Sequence, residues 1–347
     1  MPIAVGGRRR QRLVHERFVL PHRGRTVGSQ IGEMMKGSMP QLAGSVFLTD
    51  GGVETDLIFH RGIDLPEFAS FVLHENAAGE SVLRDYYDDY LRIASQGGFG
   101  LVLETTTWRA SEDWGAKIGY AAAQLRAANE RSVEFFHEVR ASDVDGTVVI
   151  SGCVGPRGDA YADLGPASAD EAFAYHLPQV EVLAGSGVDL VSALTLTNVA
   201  EAIGFVRAAE ARSIPAVVSF TVETDGRLPS GMSLTDAITA VDDETDGAAA
   251  YFMINCAHPD HFAQVLDGPE PALSRVRGVR ANASRLSHAE LDESTELDDG
   301  DPDEFGAQIV AVHGGRPHIN VLGGCCGTDA RHIAAIAHAY RHPEQRP

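Results

Sequence analysis

The sequence predicts an α/β protein built as a single (β/α)8 TIM barrel. Three observations carry that expectation. Eight short, apolar, β-branched runs recur over roughly 300 residues, and a stretch with helical spacing follows each of them. Polar and glycine-rich residues collect where each run ends, which is where the reactive loops of a parallel barrel lie. No G-x-G-x-x-G or P-loop follows the first run, which removes the commonest reason for the runner-up architecture, an open doubly wound sheet.

Taken in order, the first strand is expected at 46–49 and stops at Asp50-Gly51-Gly52. The helix at 81–95 places Val82, Leu83, Tyr86, Tyr90, Leu91 and Ile93 on one broad face. Strand two, 101–105, runs into Glu104-Thr105-Thr106-Thr107-Trp108 and a helix over 121–139. Strand three, 147–151, gives way to a small-residue turn in which Cys153 reads as packing. The helix at 169–183, strand four at 189–195 and the helix at 199–211 follow. Strand five, 216–222, ends at Glu223 and precedes a helix at 234–242. Strand six, 250–255, ends at Asn255-Cys256, and 258–267 supplies only a short helix. Strand seven, 277–281, ends at Asn282 and leads to a helix over 302–312. Strand eight, 318–322, runs into Gly323-Gly324-Cys325-Cys326-Gly327-Thr328 and a last helix at 329–340.

Composition bounds the function. Of 347 residues, 44% are hydrophobic and 22% charged, enough apolar material for a substantial core. The net charge of -21 argues against nucleic acid, whose binding needs a positive face to neutralise phosphates. No apolar run is long enough to span a bilayer, so no membrane is expected as a partner. Residues 1–40 differ from the rest, with seven arginines and one lysine against Glu16 and Glu33. They read as a basic leader, disordered or produced by a misplaced start, ahead of a barrel over 41–347. The stretch 290–304 carries nine acids and no basic residue; it reads as a solvated loop after strand seven, with a lid as the alternative.

The cysteines are the sharpest chemical signal. Four in a chain of this length make no disulfide scaffold and suit a reducing, cytoplasmic setting. In a barrel, Cys256, Cys325 and Cys326 would meet at one rim although about 70 residues separate them in sequence. Three thiolates form a soft, anionic site that suits Zn2+ in a tetrahedral geometry with a fourth position open. Neighbouring cysteines on a regular strand face opposite sides, so both ligate one ion only where the backbone leaves strand geometry; glycines at 323, 324 and 327 would allow that. The alternatives are small buried side chains and a vicinal disulfide.

The chain resembles the homocysteine S-methyltransferase family from about Phe47 to about His338. The resemblance rests on DGGVETDL at 50–57, LETTTWRAS at 103–111, GCVGP at 152–156, INC at 254–256 and LGGCCGT at 322–328. It implies that Cys256, Cys325 and Cys326 bind zinc and that homocysteine sulfur takes the fourth position. The implied partners are a small-molecule thiol and a methyl donor, with homo-oligomerisation left open. A zinc-held thiolate attacks the methyl of a sulfonium donor, S-methylmethionine or S-adenosylmethionine, and gives methionine. The chain stops soon after strand eight, without the long arm of betaine-dependent relatives, which favours a sulfonium over betaine.

Two departures bear on the substrate. Strand four of the family usually ends in a Glu-Thr pair whose carboxylate helps hold the amine of homocysteine, and Leu194 stands at that glutamate. Strand seven reads Arg280-Ala281-Asn282-Ala283 in place of a proline-asparagine turn. Asp50, with Gly51 leaving backbone N–H groups open, is a candidate for the amino acid, and Glu104 or Glu223 could replace the missing carboxylate. Asn282 joins this substrate-binding set. Each of the carboxylates could instead be a turn or rim residue. Trp108 would either face the donor cation or pack at the rim. A methyltransferase for another thiol and a zinc hydrolase or lyase remain the alternatives, with a non-catalytic thiol or zinc sensor behind them. Three thiolates argue against the hydrolase, since their charge weakens zinc as a Lewis acid.

Overall fold

The computed structural model describes residues 39–143, 146–159, 168–268 and 271–345. The basic leader expected over 1–40 lies outside the described residues, apart from its last two. Eight parallel strands close into a barrel in the order of the sequence. They are β1 (Phe47–Thr49), β2 (Gly100–Glu104), β3 (Val148–Val154), β4 (Leu190–Leu196), β5 (Ala216–Phe220), β6 (Tyr251–Asn255), β7 (Val276–Ala281) and β8 (Val321–Gly324). Closure is made where Phe47 and Leu48 of β1 pair with Val321 and Leu322 of β8. The barrel is therefore one domain, as the alternating runs predict.

Each strand is followed by a helix: α1 (Ala77–Gly97), α2 (Ala122–Ser142), α3 (Ala169–Gly185), α4 (Val199–Ala211), α5 (Leu234–Glu244), α6 (Pro259–Phe262), α7 (Pro302–Gly315) and α8 (Ala330–Arg341). Their starts are set by side chains that accept from otherwise orphaned amides, including Asn76 for α1, Ser168 for α3, Asn198 for α4 and Asp329 for α8. Gly98 ends α1 in a left-handed conformation. The sixth helix is a single turn, as the weak pattern at 258–267 indicates. Among the described residues, no helix is long and apolar enough to cross a membrane.

Alternate residues point into the barrel. Val102, Val149, Leu190, Val217, Tyr251, Met253 and Val321 fill its lower half, and Met39 and Phe47 pack against them from below. The opposite faces of the strands, with Leu48, Leu103, Ile150, Val218 and Phe252, pack on the helices in one continuous core. Each side chain of that size adds about 1.5–3 kcal/mol by leaving water.

The strand bounds depart furthest from the sequence reading at β3 and β8. β3 continues to Val154 because Cys153 and Val154 pair with Ser192 and Ala193, so Cys153 sits in the barrel wall rather than in a turn. β8 begins at Val321 and takes in Gly323 and Gly324. A Cβ at Gly323 would stand 1.8 Å from Thr49 Oγ1. That glycine serves close approach between strands and not a turn.

Candidate metal centre

Three cysteines converge at the rim where β6 and β8 end. Cys256 follows the last residue of β6 with φ +56°, a left-handed conformation that turns it out of strand geometry. Its amide donates to the Arg280 carbonyl of β7, 3.1 Å away. Its own carbonyl accepts from the Thr221 hydroxyl at 3.2 Å and from His288 Nε2 at 2.5 Å. On the other side, Cys325 donates its amide to Ala281 O at 2.7 Å, and Cys326 accepts from the Ala283 amide at 3.1 Å. The Thr328 amide and hydroxyl both return to Cys325 O, at 3.1 and 2.7 Å. Gly327, at φ +77°, makes that tight turn possible. The backbone thus leaves the strand at Cys325, and two consecutive side chains can face one point.

The three sulfurs lie within 4.8 Å of one another and could hold a metal ion. Cys256 Sγ and Cys326 Sγ are 3.6 Å apart. A tetrahedral thiolate site with bonds of ~2.3 Å sets sulfurs ~3.8 Å apart, so the spacing fits zinc before any rearrangement. None of the four cysteines is in a disulfide. Thiol hydrogen bonds from Cys256 and Cys326, aided by the Arg280 charge, hold Cys325 well below the usual thiol range. The same sulfur neighbours push Cys326 well above it. A trio of this kind ionises fully only against a cation.

Directly below the cysteines lies a buried charge cluster. Arg280 Nη2 stands 2.8 Å from Asp50 Oδ1, and Nη1 stands 3.9 Å from Glu104 Oε1. Arg280 also donates to the carbonyls of Gly324, at 3.1 Å, and Gly51, at 3.2 Å. Ser192 donates to Glu104 at 2.6 Å and accepts from Ser151 at 2.9 Å. Burial raises the Asp50 carboxyl to about 6 and that of Glu104 to about 7, against the pull of Arg280. Burial opposes the Arg280 charge, but the two carboxylates more than offset it.

The structure therefore brings Asp50, Gly51 and Glu104 beneath the cysteines but ties all three to Arg280. Of the two glycine amides, that of Gly52 is taken, donating to Thr328 O at 3.0 Å. Glu223 stands apart, about one-third exposed, with Oε1 3.2 Å from His288 Nδ1. It reaches the metal loop only through that histidine. Asn282 is buried; its amide donates to Ala257 O at 3.0 Å, and its side-chain Oδ1 has no hydrogen-bond partner. Leu194 is buried, and its carbonyl accepts from the Trp108 indole at 3.4 Å. The cation over the Trp108 ring is Arg109, 4.0 Å from the centroid. The acidic stretch is tied down at its far end: Asp298 accepts from Ser284, and Asp299 holds Arg331 and His332.

Sequence reasoning missed Arg280, Arg109 and His288 as site residues. A charged residue in the middle of a strand buried on both faces was the available signal for Arg280, since such a charge needs a partner. His288 opens a short helix, His288–Asp292, capped by Ser287 and Glu290, a pattern that marks a helix start and not a site.

Comparison with known proteins agrees with this geometry. The family model for homocysteine S-methyltransferase matches residues 47–340. The chain is 28% identical over 322 residues to homocysteine S-methyltransferase of Escherichia coli, covering 84% of this chain and 94% of that one. It is 25% identical over 325 residues to homocysteine S-methyltransferase 4 of Zea mays, covering 87% and 91%. Among solved structures, the oxidised form of the homocysteine methyltransferase MmuM from Escherichia coli superposes with a TM-score of 0.68 at 25% identity, covering 87% of this chain and 98% of that one. Its metallated form gives 0.67 at 24%, covering 85% and 96%. The chain belongs to the homocysteine S-methyltransferase family, as an enzyme of the kind that methylates homocysteine.

Proposed function

We propose that this protein moves a methyl group from a sulfonium donor, S-methylmethionine or S-adenosylmethionine, to the sulfur of homocysteine held on zinc by Cys256, Cys325 and Cys326. The observation that carries the reading is the convergence of three sulfurs from two strand ends within 4.8 Å. Soft sulfur donors at that spacing suit zinc, and zinc when bound keeps the acceptor sulfur as a nucleophilic thiolate. A new S–CH3 bond forms as the donor's S–CH3 bond breaks, and the donor leaves as a neutral thioether. The thiol proton is lost to solvent before transfer. Nothing in that balance asks for a general base at carbon, and the remaining work is to hold the reactants in line.

Asp50, Glu104 and Arg280 lie buried beneath the cysteines, and Asn282 Oδ1 offers an acceptor for a donor group on the amino acid. A reducing compartment, the cytoplasm, suits cysteines that must stay reduced to hold a metal. A second reading, transfer to a thiol without an ammonium group, is favoured by one observation. Asp50 and Glu104 already serve Arg280, and Leu194 offers no charge.

Calorimetry of L-homocysteine binding to zinc-loaded protein, in two buffers of different ionisation heat, tests the reading. Zinc-dependent binding with release of a proton is expected, and Cys326→Ser should abolish it. Binding that survives Cys326→Ser would overturn the metal role. Uptake of 4-mercaptobutanoate but not of homocysteine would select the second reading.

A further inference from the structure

Arg109 lies on the loop after β2, at the rim that carries the cysteines. It is 7% exposed, yet its Nε and Nη1 have no hydrogen-bond partner. Its guanidinium lies over two indoles, 3.4 Å from the Trp114 ring centroid and 4.0 Å from that of Trp108. Trp108 is itself held by its N–H on the Leu194 carbonyl of β4, and Trp114 by its N–H on Pro156 O at 3.2 Å. The stack holds the guanidinium in place while its Nε and Nη1 donors stay without a partner. Asp159, Glu54 and Glu67 influence the group. Burial lowers it to about 10, so it is charged at neutral pH.

A buried cation with idle donors is costly unless a ligand completes it. A planar, preorganised fork is the shape that takes a carboxylate through two parallel hydrogen bonds. Around it the molecule is acidic, with a net charge of -21, and the pocket floor carries Asp50 and Glu104. An anionic group entering here needs a countercharge, and the charge of Arg280 is already paired with Asp50 and Glu104.

We propose that Arg109 is the specificity residue that binds the carboxylate of an amino-acid substrate. This rests on the methyl-transfer reading. Both the thiol acceptor and an amino-acid sulfonium donor carry such a carboxylate, so the shared chemistry is named and the two sources are tested separately.

The chain contains two tryptophans, and they are the two that enclose Arg109. Intrinsic fluorescence therefore reports on this site alone. In zinc-loaded full-length protein, L-methionine should change the emission, and 3-(methylthio)propylamine, which lacks only the carboxylate, should do so at least tenfold more weakly. Arg109→Gln should abolish that preference, and Arg109→Lys should restore part of it. In turnover, Arg109→Gln should raise KM about 30-fold for the carboxylate-bearing member of one pair. KM for its decarboxylated analogue should stay within about twofold, and kcat should change little. The acceptor pair is homocysteine and 3-aminopropane-1-thiol; the donor pair is S-methylmethionine and its decarboxylated sulfonium. The arm that responds names the source.

Equal weakening of both members of a pair would overturn the proposal, as would wild-type protein with no preference for the carboxylate. The wild-type measurement holds even if the glutamine variant folds poorly. Absence of methyl transfer with a clear fluorescence preference would sink the function reading and leave Arg109 as a carboxylate site.

Discussion

The interior of the barrel and its rim treat polar groups in opposite ways. Inside, Arg280 answers Asp50 and Glu104, and serines 192 and 151 complete the chain of hydrogen bonds. At the rim, three cysteine sulfurs crowd within 4.8 Å, and Arg109 keeps buried donors idle. The interior pairs its charges within the protein, whereas the rim gathers groups that a ligand would complete. Low dielectric makes that contrast meaningful, because a buried charge without a partner is among the more expensive features a fold can carry.

Four measurements break or sharpen the contrast. Cys326→Ser should weaken zinc binding on the order of a thousandfold, taking one ligand's share of a four-ligand site. The metal-free stability of that exposed position should hardly move; a large loss on urea unfolding of the apo form would make the cysteine turn a structural element instead. Arg280→Met should lower stability by about 3–5 kcal/mol, since two carboxylates lose their countercharge. A loss under about 1 kcal/mol would show that the interior tolerates them neutral.

Glu104→Gln concerns pH. Burial raises its carboxyl from 4.5 to about 7, so the folded chain holds the proton more tightly than the unfolded one. The contribution is full below about pH 4.5 and is lost as pH rises through about 7. Urea melts at pH 5 and 8 should lose on the order of 2 kcal/mol less across that interval in the glutamine variant. Identical slopes for the two proteins would count against it. The smallest effect is expected at the edge of the rim: Glu223→Gln should change the acceptor KM by less than about twofold, since its carboxylate faces His288. A tenfold rise would return Glu223 to the substrate.

The barrel and the cysteine trio were legible in the sequence for physical reasons. Parallel strands buried on both faces read as apolar runs, and Asn255-Cys256 and Gly323–Thr328 stand at two of their ends. Strand ends were less so: β3 absorbs Gly152 and Cys153 because pairing with β4 continues, which is a property of the neighbour. The substrate side was read least well. Asp50 and Glu104 were recognised as acids at strand ends, but their commitment to Arg280 joins residues far apart in the chain and depends on closure. Arg109 gave no signal, because Trp114 closes over it only once the short helix at Glu112–Lys117 has formed.

The cluster formed by Arg280, Asp50 and Glu104 also constrains how this lineage can diverge. Replacing any one member alone leaves a charge or a proton-hungry carboxyl sealed in the lumen, so single-step variants pass through a weakened intermediate. The three positions, on strand seven, just after strand one and at the end of strand two, are therefore coupled. A relative that carries a neutral residue at the Arg280 position can free Asp50 or Glu104 for other duties, and one that keeps the arginine inherits the whole arrangement.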